Sequence, residues 1–433
     1  MRSPLANMDD DLRLGEIWFG RVQEVVSPTL VKASLSNIGL GDLCWLCKSQ
    51  IMAEVIRIVG HTAWLALFSE RKTVKTSERV MPLKRHHRIG VSPQLLGRVV
   101  DGLGEVLDAT EPIDTDTWLP LECERLHVLK RGRVDTVLET GIKAIDALLS
   151  IGYGQRMGIF AGAGVGKTTL ISMLCNEINM DVIVIALIGE RSREVHEFLT
   201  TVLNDKTRQQ SVVVAATADR PALERYKALY TATTIAEYFR DRGHRVMLLV
   251  DSLTRFARAA DEIAVATGEP SSMTGFPASL MVKLPALLER VGPLSCGSIT
   301  GIYTVLLQQE KQRDIFAEEI KAMLDGHILL SRKQAETGLY PAIDVSESVS
   351  RLMPHIVTNE HYMHALQIRR FLTINEEIAF LLRVGEYQAG QDREADEALA
   401  RRDAIRQFLC QTPYQKVAWD QMFYQLSYIL SLC

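Results

Sequence analysis

The stretch RMGIFAGAGVGKTTLISMLC, residues 156–175, decides the fold class. A short apolar run, RMGIF, leads into a glycine-rich loop and then into the apolar helical segment LISMLC. Strand, glycine loop and helix in that order form the setting of a phosphate loop. There the loop amides and the helix N-terminus turn together toward an anion. Gly162, Gly164 and Gly166 permit left-handed backbone that a Cβ would obstruct, and Ala163 and Val165 lie between them. Lys167 is placed to reach the β and γ phosphates of a nucleotide. Thr168 can offer its hydroxyl to Mg²⁺, and Thr169 follows in the first turn of the helix. The usual spacing puts a glycine where this chain has Ala161. A methyl group is tolerable there if the residue ends the strand and keeps φ below zero.

Around this loop, apolar runs of strand length recur at 182–189 (VIVIALIG), 211–217 (SVVVAAT), 245–251 (RVMLLVD) and 298–307 (SITGIYTVLL). Helical stretches at 166–178, 191–204 and 221–242 separate most of them. Near-continuous apolar strands alternating with helices indicate a parallel sheet covered on both faces. Earlier in the chain, EIWFGRVQEVV, TLVKASL, AEVIRIVG and TAWLALF are short runs bounded by Gly, Ser, Asn or Asp. They suggest a small β-barrel or sandwich, with an irregular β-rich lobe as the plainer alternative. The tail carries helical periodicity through HALQIRRFLTINEEIAFLLRVGEY, READEALARRDAIRQFLCQ and WDQMFYQLSYIL. The expected organisation is therefore an N-terminal β unit over 1–85, an α/β unit over 86–354 and a helical unit over 355–433.

Composition narrows the function classes. The 433 residues carry 49 Lys and Arg against 53 Asp and Glu, a net charge of −4, so no global basic field points to nucleic acid. The basic cluster LKRHHR (83–88) is short enough to be a solvated loop. Of seven cysteines only Cys44 and Cys47 form a C-x-x-C pair. A zinc ribbon needs a second such pair, so these read as packing cysteines in a reducing compartment. The first twenty residues hold acids and no apolar core, and the longest apolar run falls far short of the roughly 20 residues that span a bilayer. A cytoplasmic protein with at most peripheral membrane association is expected.

Three further segments carry chemistry. RVMLLVDSLTR ends an apolar strand in Asp251, the form in which a carboxylate holds Mg²⁺ beside a phosphate loop. In LIGERSREVHEF, Glu190 stands just past a buried strand beside Arg191. Such a carboxylate can orient the water that attacks a γ-phosphate, although a surface salt bridge satisfies the local pattern as well. In YPAIDVSESVSRL, Tyr340 can stack on an adenine ring. Arg351 reads either as an ordinary surface arginine or as a finger presented to a neighbouring subunit.

Taken together, TGIKAIDALLSIGYGQRMGIFAGAGVGKTTL, IGERSREVHEF, the long segment 216–264 and PAIDVSESVS resemble the catalytic subunits of rotary-type ATPases. Within that superfamily the chain is most similar to the type III secretion ATPases of bacterial injectisomes, with the flagellar export ATPases as near neighbours. NIGLGDLCWL (37–46) resembles the injectisome type. The resemblance covers about residues 15–400. It implies a RecA-like core with an N-terminal β-barrel that sets a homo-hexameric ring and a C-terminal helical domain that faces cargo. It implies ATP and Mg²⁺, with Lys167, Thr168, Glu190 and Asp251 on the phosphate, metal, catalytic and Walker B positions. Arg191 falls among the nucleotide contacts, Tyr340 on the adenine-stacking position and Arg351 on the trans arginine finger. The implied partners are stalk and stator proteins, effector–chaperone complexes and an inner-membrane export gate. The implied location is the cytoplasmic face of the bacterial inner membrane, with no nucleic acid bound. A F1-type β subunit is disfavoured because Glu190 and Arg351 share one chain. A termination-factor-like RNA translocase is disfavoured because residues 1–85 show no basic aromatic platform. Two segments depart from the family pattern: LQQEKQRDIFAEEI (307–320), with Lys311, Arg313 and Ile315, and MTGFPASLMVKLP (273–285). They leave an assembly scaffold without useful turnover as a further alternative.

Overall fold

The computed structural model describes residues 19–431 apart from 70–71, 109–112, 123–127, 271, 273–274, 308–313 and 389. The unusual loop at 308–316 therefore lies largely outside the described residues, as do Met273 and Thr274 of the second departing segment.

The N-terminal runs close into a barrel. In order around it stand Gly20–Ser27, Leu30–Ser34, Thr62–Leu67, Ile51–Val59, Leu43–Leu46 and Arg79–Pro82, and the last pairs back to the first. Leu43–Leu46 and Arg79–Pro82 are only four residues long, and closure depends on them. The first of these is the segment of the C-x-x-C pair. Cys44 is buried in the barrel core, and burial pushes its thiol up to about 12. It is a packing residue, as expected from the missing second pair.

A nine-stranded sheet forms the body. Its path runs Ile343–Ser350, Gly326–Leu330, Arg156–Ala161, Ser298–Leu306, Arg245–Asp251, Val182–Ile188, Ser211–Ala216 and Val99–Val100, with Gly292–Pro293 pairing beside Ser298–Leu306. The pairings along the path are parallel except at the Ile343–Ser350 edge. The central strands are buried on both faces, which is why they read as continuous apolar runs. Alternate residues still sort to opposite sides. Ile183, Ile185 and Leu187 join one core cluster, whereas Val182, Val184, Ala186 and Ile188 join another.

Each cluster is completed by different helices. On one face lie Ala222–Arg240, Leu253–Thr267, Ala278–Leu288 and Ile315–Met323. On the other lies the helix of the glycine loop, Lys167–Glu177. The same cluster takes in Ile368 and Phe371 of Asn359–Val384, Ala398 and Ile405 of Arg393–Leu409, and Leu426 and Ile429 of Trp419–Ser431. The C-terminal helices thus share a core with the phosphate-loop helix. The barrel is joined to the opposite face by a buried ion pair, Lys227 Nζ to Glu54 at 2.8 Å, and by Arg57 donating to the Thr267 carbonyl.

Candidate active site

The glycine loop turns as its sequence requires. Ala161 is the last residue of its strand and fully buried, paired with Leu306 and Leu330 on either side. The methyl group belongs to the core and leaves the loop free. Gly164 (φ 78°) and Gly166 (φ 93°) occupy the left-handed region. Gly162 does not, so the loop needs two of the three expected left-handed positions. Gly166 is the cap from which Lys167–Glu177 starts, and its left-handed φ turns the chain from the loop into the helix, whose first amides have no partner within the helix. Thr168 and Thr169 are exposed in that first turn, while Val165 is buried beneath the loop.

Lys167 reaches across to Asp251, its Nζ in direct contact with Oδ1. The same oxygen accepts a hydrogen bond from Thr304 Oγ1 at 2.7 Å. The strand order explains this triad. Ser298–Leu306 lies between the loop strand and the Asp251 strand, so Thr304 stands level with Ile159 on one side and buttresses the carboxylate on the other. Glu190 follows the next strand and is mostly shielded, with Arg255 Nη2 3.6 Å from its Oε2. Burial, reinforced by the charge of Asp251, raises the Glu190 carboxyl to about 7. Glu194, one turn on, hydrogen-bonds to Glu190, and that bond holds its own carboxyl below the usual range.

Arg191 caps the helix Ser192–Glu197. Its side chain is 81% exposed and 4.0 Å from Glu194, available to a phosphate but not held toward the loop. Tyr340 lies beside the loop, its Cε1 3.6 Å from where a Cβ on Gly166 would stand, with one side of the residue open to solvent.

Arg351 is not part of this cluster. Its strand runs antiparallel to Gly326–Leu330, with Ser350 opposite Gly326 and Ile343 opposite Leu330. Leu330 is level with Ala161, where the loop begins, and His327 with Gly158. Ser350 is thus about four residues down the sheet, roughly 13 Å below the loop at strand rise. There Arg351 is exposed, with Nη2 donating to the Lys321 carbonyl at 3.1 Å. Three contributors were missed in the sequence: Thr304, Arg255 and Glu194. Arg255 and Glu194 each stand in the first turn or two of the helix that follows a chosen carboxylate, near enough in sequence to be considered. Thr304 looks like any strand residue until the strand order is known.

The donor set suits a hard divalent cation. Asp251 and Thr168 offer oxygen ligands, and among the described residues no group of three or more His, Cys, Asp or Glu side chains forms a metal cage. A cation taking one or two protein oxygens, with phosphate and water completing its shell, is the binding mode of Mg²⁺.

Residues 141–350 match the ATP synthase alpha/beta family, nucleotide-binding domain, and residues 357–428 match the T3SS EscN ATPase C-terminal domain. The type 3 secretion system ATPase of Xanthomonas euvesicatoria is 47% identical over 406 residues, covering 93% of this chain and 92% of that protein. The chain belongs to the type III secretion ATPase family. A flagellum-specific ATP synthase from Pseudomonas aeruginosa is more distant, at 41% identity over 400 residues, 90% of this chain and 88% of that one. The fold of this secretion ATPase superposes on the assembled ATPase EscN in complex with its central stalk EscO, from enteropathogenic E. coli. The TM-score is 0.88 at 41% identity, over 95% of this chain and all of that one. Mixed α/β core, N-terminal barrel and C-terminal helices all accord with the expected architecture.

A base that orients water must be ionised. Were Glu190 that base, its carboxyl raised to about 7 would make kcat/KM for hydrolysis rise with pH through a single ionisation close to 7. A profile flat from pH 5.5 to about 8.5 is the contrary result.

Proposed function

We propose that this secretion ATPase hydrolyses MgATP at sites completed between neighbouring copies of a homo-hexameric ring. The placement of Arg351 carries this reading: Lys167, Asp251 and Glu190 converge, while Arg351 of the same chain stands far down the sheet edge. In the site, Glu190 accepts a hydrogen bond from the attacking water and aims it in line with the γ-phosphorus. Lys167 meets the phosphate oxygens, and Arg351 of the adjacent copy neutralises charge on the transferring group. Bound Mg²⁺, held by Thr168 and through water by Asp251, would supply charge neutralisation across the phosphates. Arg191 adds a second cation near the γ-phosphate, and Tyr340 stacks on the adenine.

The assembled relative with its central stalk supports a ring with a stalk partner. Family membership supports coupling of hydrolysis to the release of effectors from chaperones and their unfolding for passage through an inner-membrane gate, with stator proteins holding the ring at the cytoplasmic face. No helix among the described residues is long and apolar enough to cross a membrane, so contact with the membrane would be made through partners. Specific activity measured against protein concentration tests the shared site. It should climb on the order of a thousandfold as monomers assemble, with assembly followed by light scattering. Constant specific activity from dilute monomer upward would refute it. No hydrolysis at any concentration would favour a scaffold.

A further inference from the structure

Gln411 lies in the connection between the helices Arg393–Leu409 and Trp419–Ser431, far in sequence from the loop, yet it is 3% exposed and fully bonded. Its Oε1 accepts from the Lys143 amide at 2.8 Å. Its Nε2 donates to the carbonyls of Gly141 (2.7 Å) and Gln415 (2.5 Å). Its own amide donates to the Tyr340 carbonyl at 2.8 Å. A buried side-chain amide bonded at both its oxygen and its nitrogen fixes the residue that carries it, and with it the main-chain N–H that meets Tyr340, because moving it leaves polar groups unpaired. One of the segments held this way belongs to the site: Tyr340 lies against Gly166. The other, residues 141–143, opens the buried helix Lys143–Leu148 and anchors Gln411 to the core. Neighbouring contacts reinforce the tie: Lys143 Nζ donates to the Cys410 carbonyl at 3.0 Å, and Arg406 Nη2 to the Thr337 carbonyl at 2.6 Å.

We propose that Gln411 is a positioning residue that holds Tyr340 beside the phosphate loop, so that the C-terminal helical layer sets affinity for the nucleotide's base. This rests on Tyr340 being the base-stacking residue. Gln411 itself touches no part of the nucleotide. Displacement of the C-terminal helices by a partner would reach Tyr340 through the main-chain bond of Gln411 and the neighbouring tie from Arg406 to Thr337, changing the hold on the base and leaving the hold on the phosphates intact.

The experiment compares the full-length protein with Gln411→Met, Tyr340→Ala and the double variant. Met keeps about the volume of Gln and the main-chain N–H that bonds Tyr340, and removes the three side-chain bonds that fix where that N–H stands; Gln411→Ala serves as a second variant. A thermal melt confirms that each is folded. Ribose-labelled fluorescent ATP is displaced by ATP and, separately, by magnesium tripolyphosphate, which has no base. Gln411→Met should weaken ATP about tenfold while leaving tripolyphosphate within about twofold. In the Tyr340→Ala background it should add less than about twofold. Equal weakening of both ligands, no weakening of ATP, or additivity with Tyr340→Ala overturns the proposal. If Tyr340→Ala weakens ATP and Gln411→Met does not, only the role of Gln411 is lost. If Tyr340→Ala leaves ATP affinity unchanged, the base-stacking role falls first and takes the proposal with it.

Discussion

Replacing Glu190 with Gln is expected to lower kcat for ATP hydrolysis by about a thousandfold while ATP still binds. The exchange is nearly isosteric, so the contacts around it survive. Arg255 keeps a polar neighbour, and the Lys167–Asp251–Thr304 triad is untouched. What disappears is a carboxylate able to accept a proton-bearing edge of water, in a position where burial has already raised it to about 7. Removing a negative charge near the phosphates should leave ATP affinity equal or tighter. Steady-state hydrolysis combined with displacement of a fluorescent nucleotide measures both. Retention of kcat within about threefold would show that Glu190 is a structural partner of Arg255 and Glu194, and that another group handles the water.

Arg351→Ala is expected to lower kcat about a thousandfold, the scale of a lost arginine finger. The distinctive result comes from mixing. Lys167→Ala lacks the phosphate lysine and Arg351→Ala lacks the finger, so each alone should be nearly inactive. A site formed by the loop of an Arg351→Ala chain and the finger of a Lys167→Ala chain is intact. Random mixing in equal amounts makes roughly a quarter of head-to-tail interfaces of this kind, so activity should reappear when the two are combined and allowed to exchange. The register that places Ser350 opposite Gly326 is the basis for this expectation: no side-chain rotation within one chain carries Arg351 to its own loop. Mixtures no more active than their components, or an Arg351→Ala variant with normal kcat, would remove the shared site.

The chemistry of the loop is local, and local chemistry is legible. Strand, glycines, lysine and threonine stand within a few residues of one another, and Lys167 and Thr168 begin the helix that follows the loop. Asp251 was readable because a buried apolar strand ends on a carboxylate. The five apolar strands were found nearly to their ends, since burial on both faces leaves a continuous signal. The three tail helices were legible from their periodicity.

Other elements carried too little signal. Leu43–Leu46 and Arg79–Pro82 are four residues each, shorter than any period can be counted over, and their strand character comes from the partners that close the barrel. Ile343–Ser350 is an edge strand rich in serine and acids, and because one side of it is partly open it lacks the continuous apolar run of the central strands. Gln411 is an ordinary glutamine in the sequence, and its importance lies in four partners, three of them in two distant segments, residues 141–143 and Tyr340.

The sequence alone determined that this protein has a glycine-rich loop between strand and helix, a carboxylate ending a buried strand, a candidate catalytic glutamate and membership in the rotary-type ATPases, because each is written in contiguous residues. Tertiary structure alone decided that Thr304 braces Asp251, that Arg351 is out of reach of its own loop, and that the C-terminal helices share a core with the loop helix and touch Tyr340 through Gln411. Those facts depend on strand order, on antiparallel register and on which helices cover which face of the sheet, and such relations hold between residues that are distant in the chain.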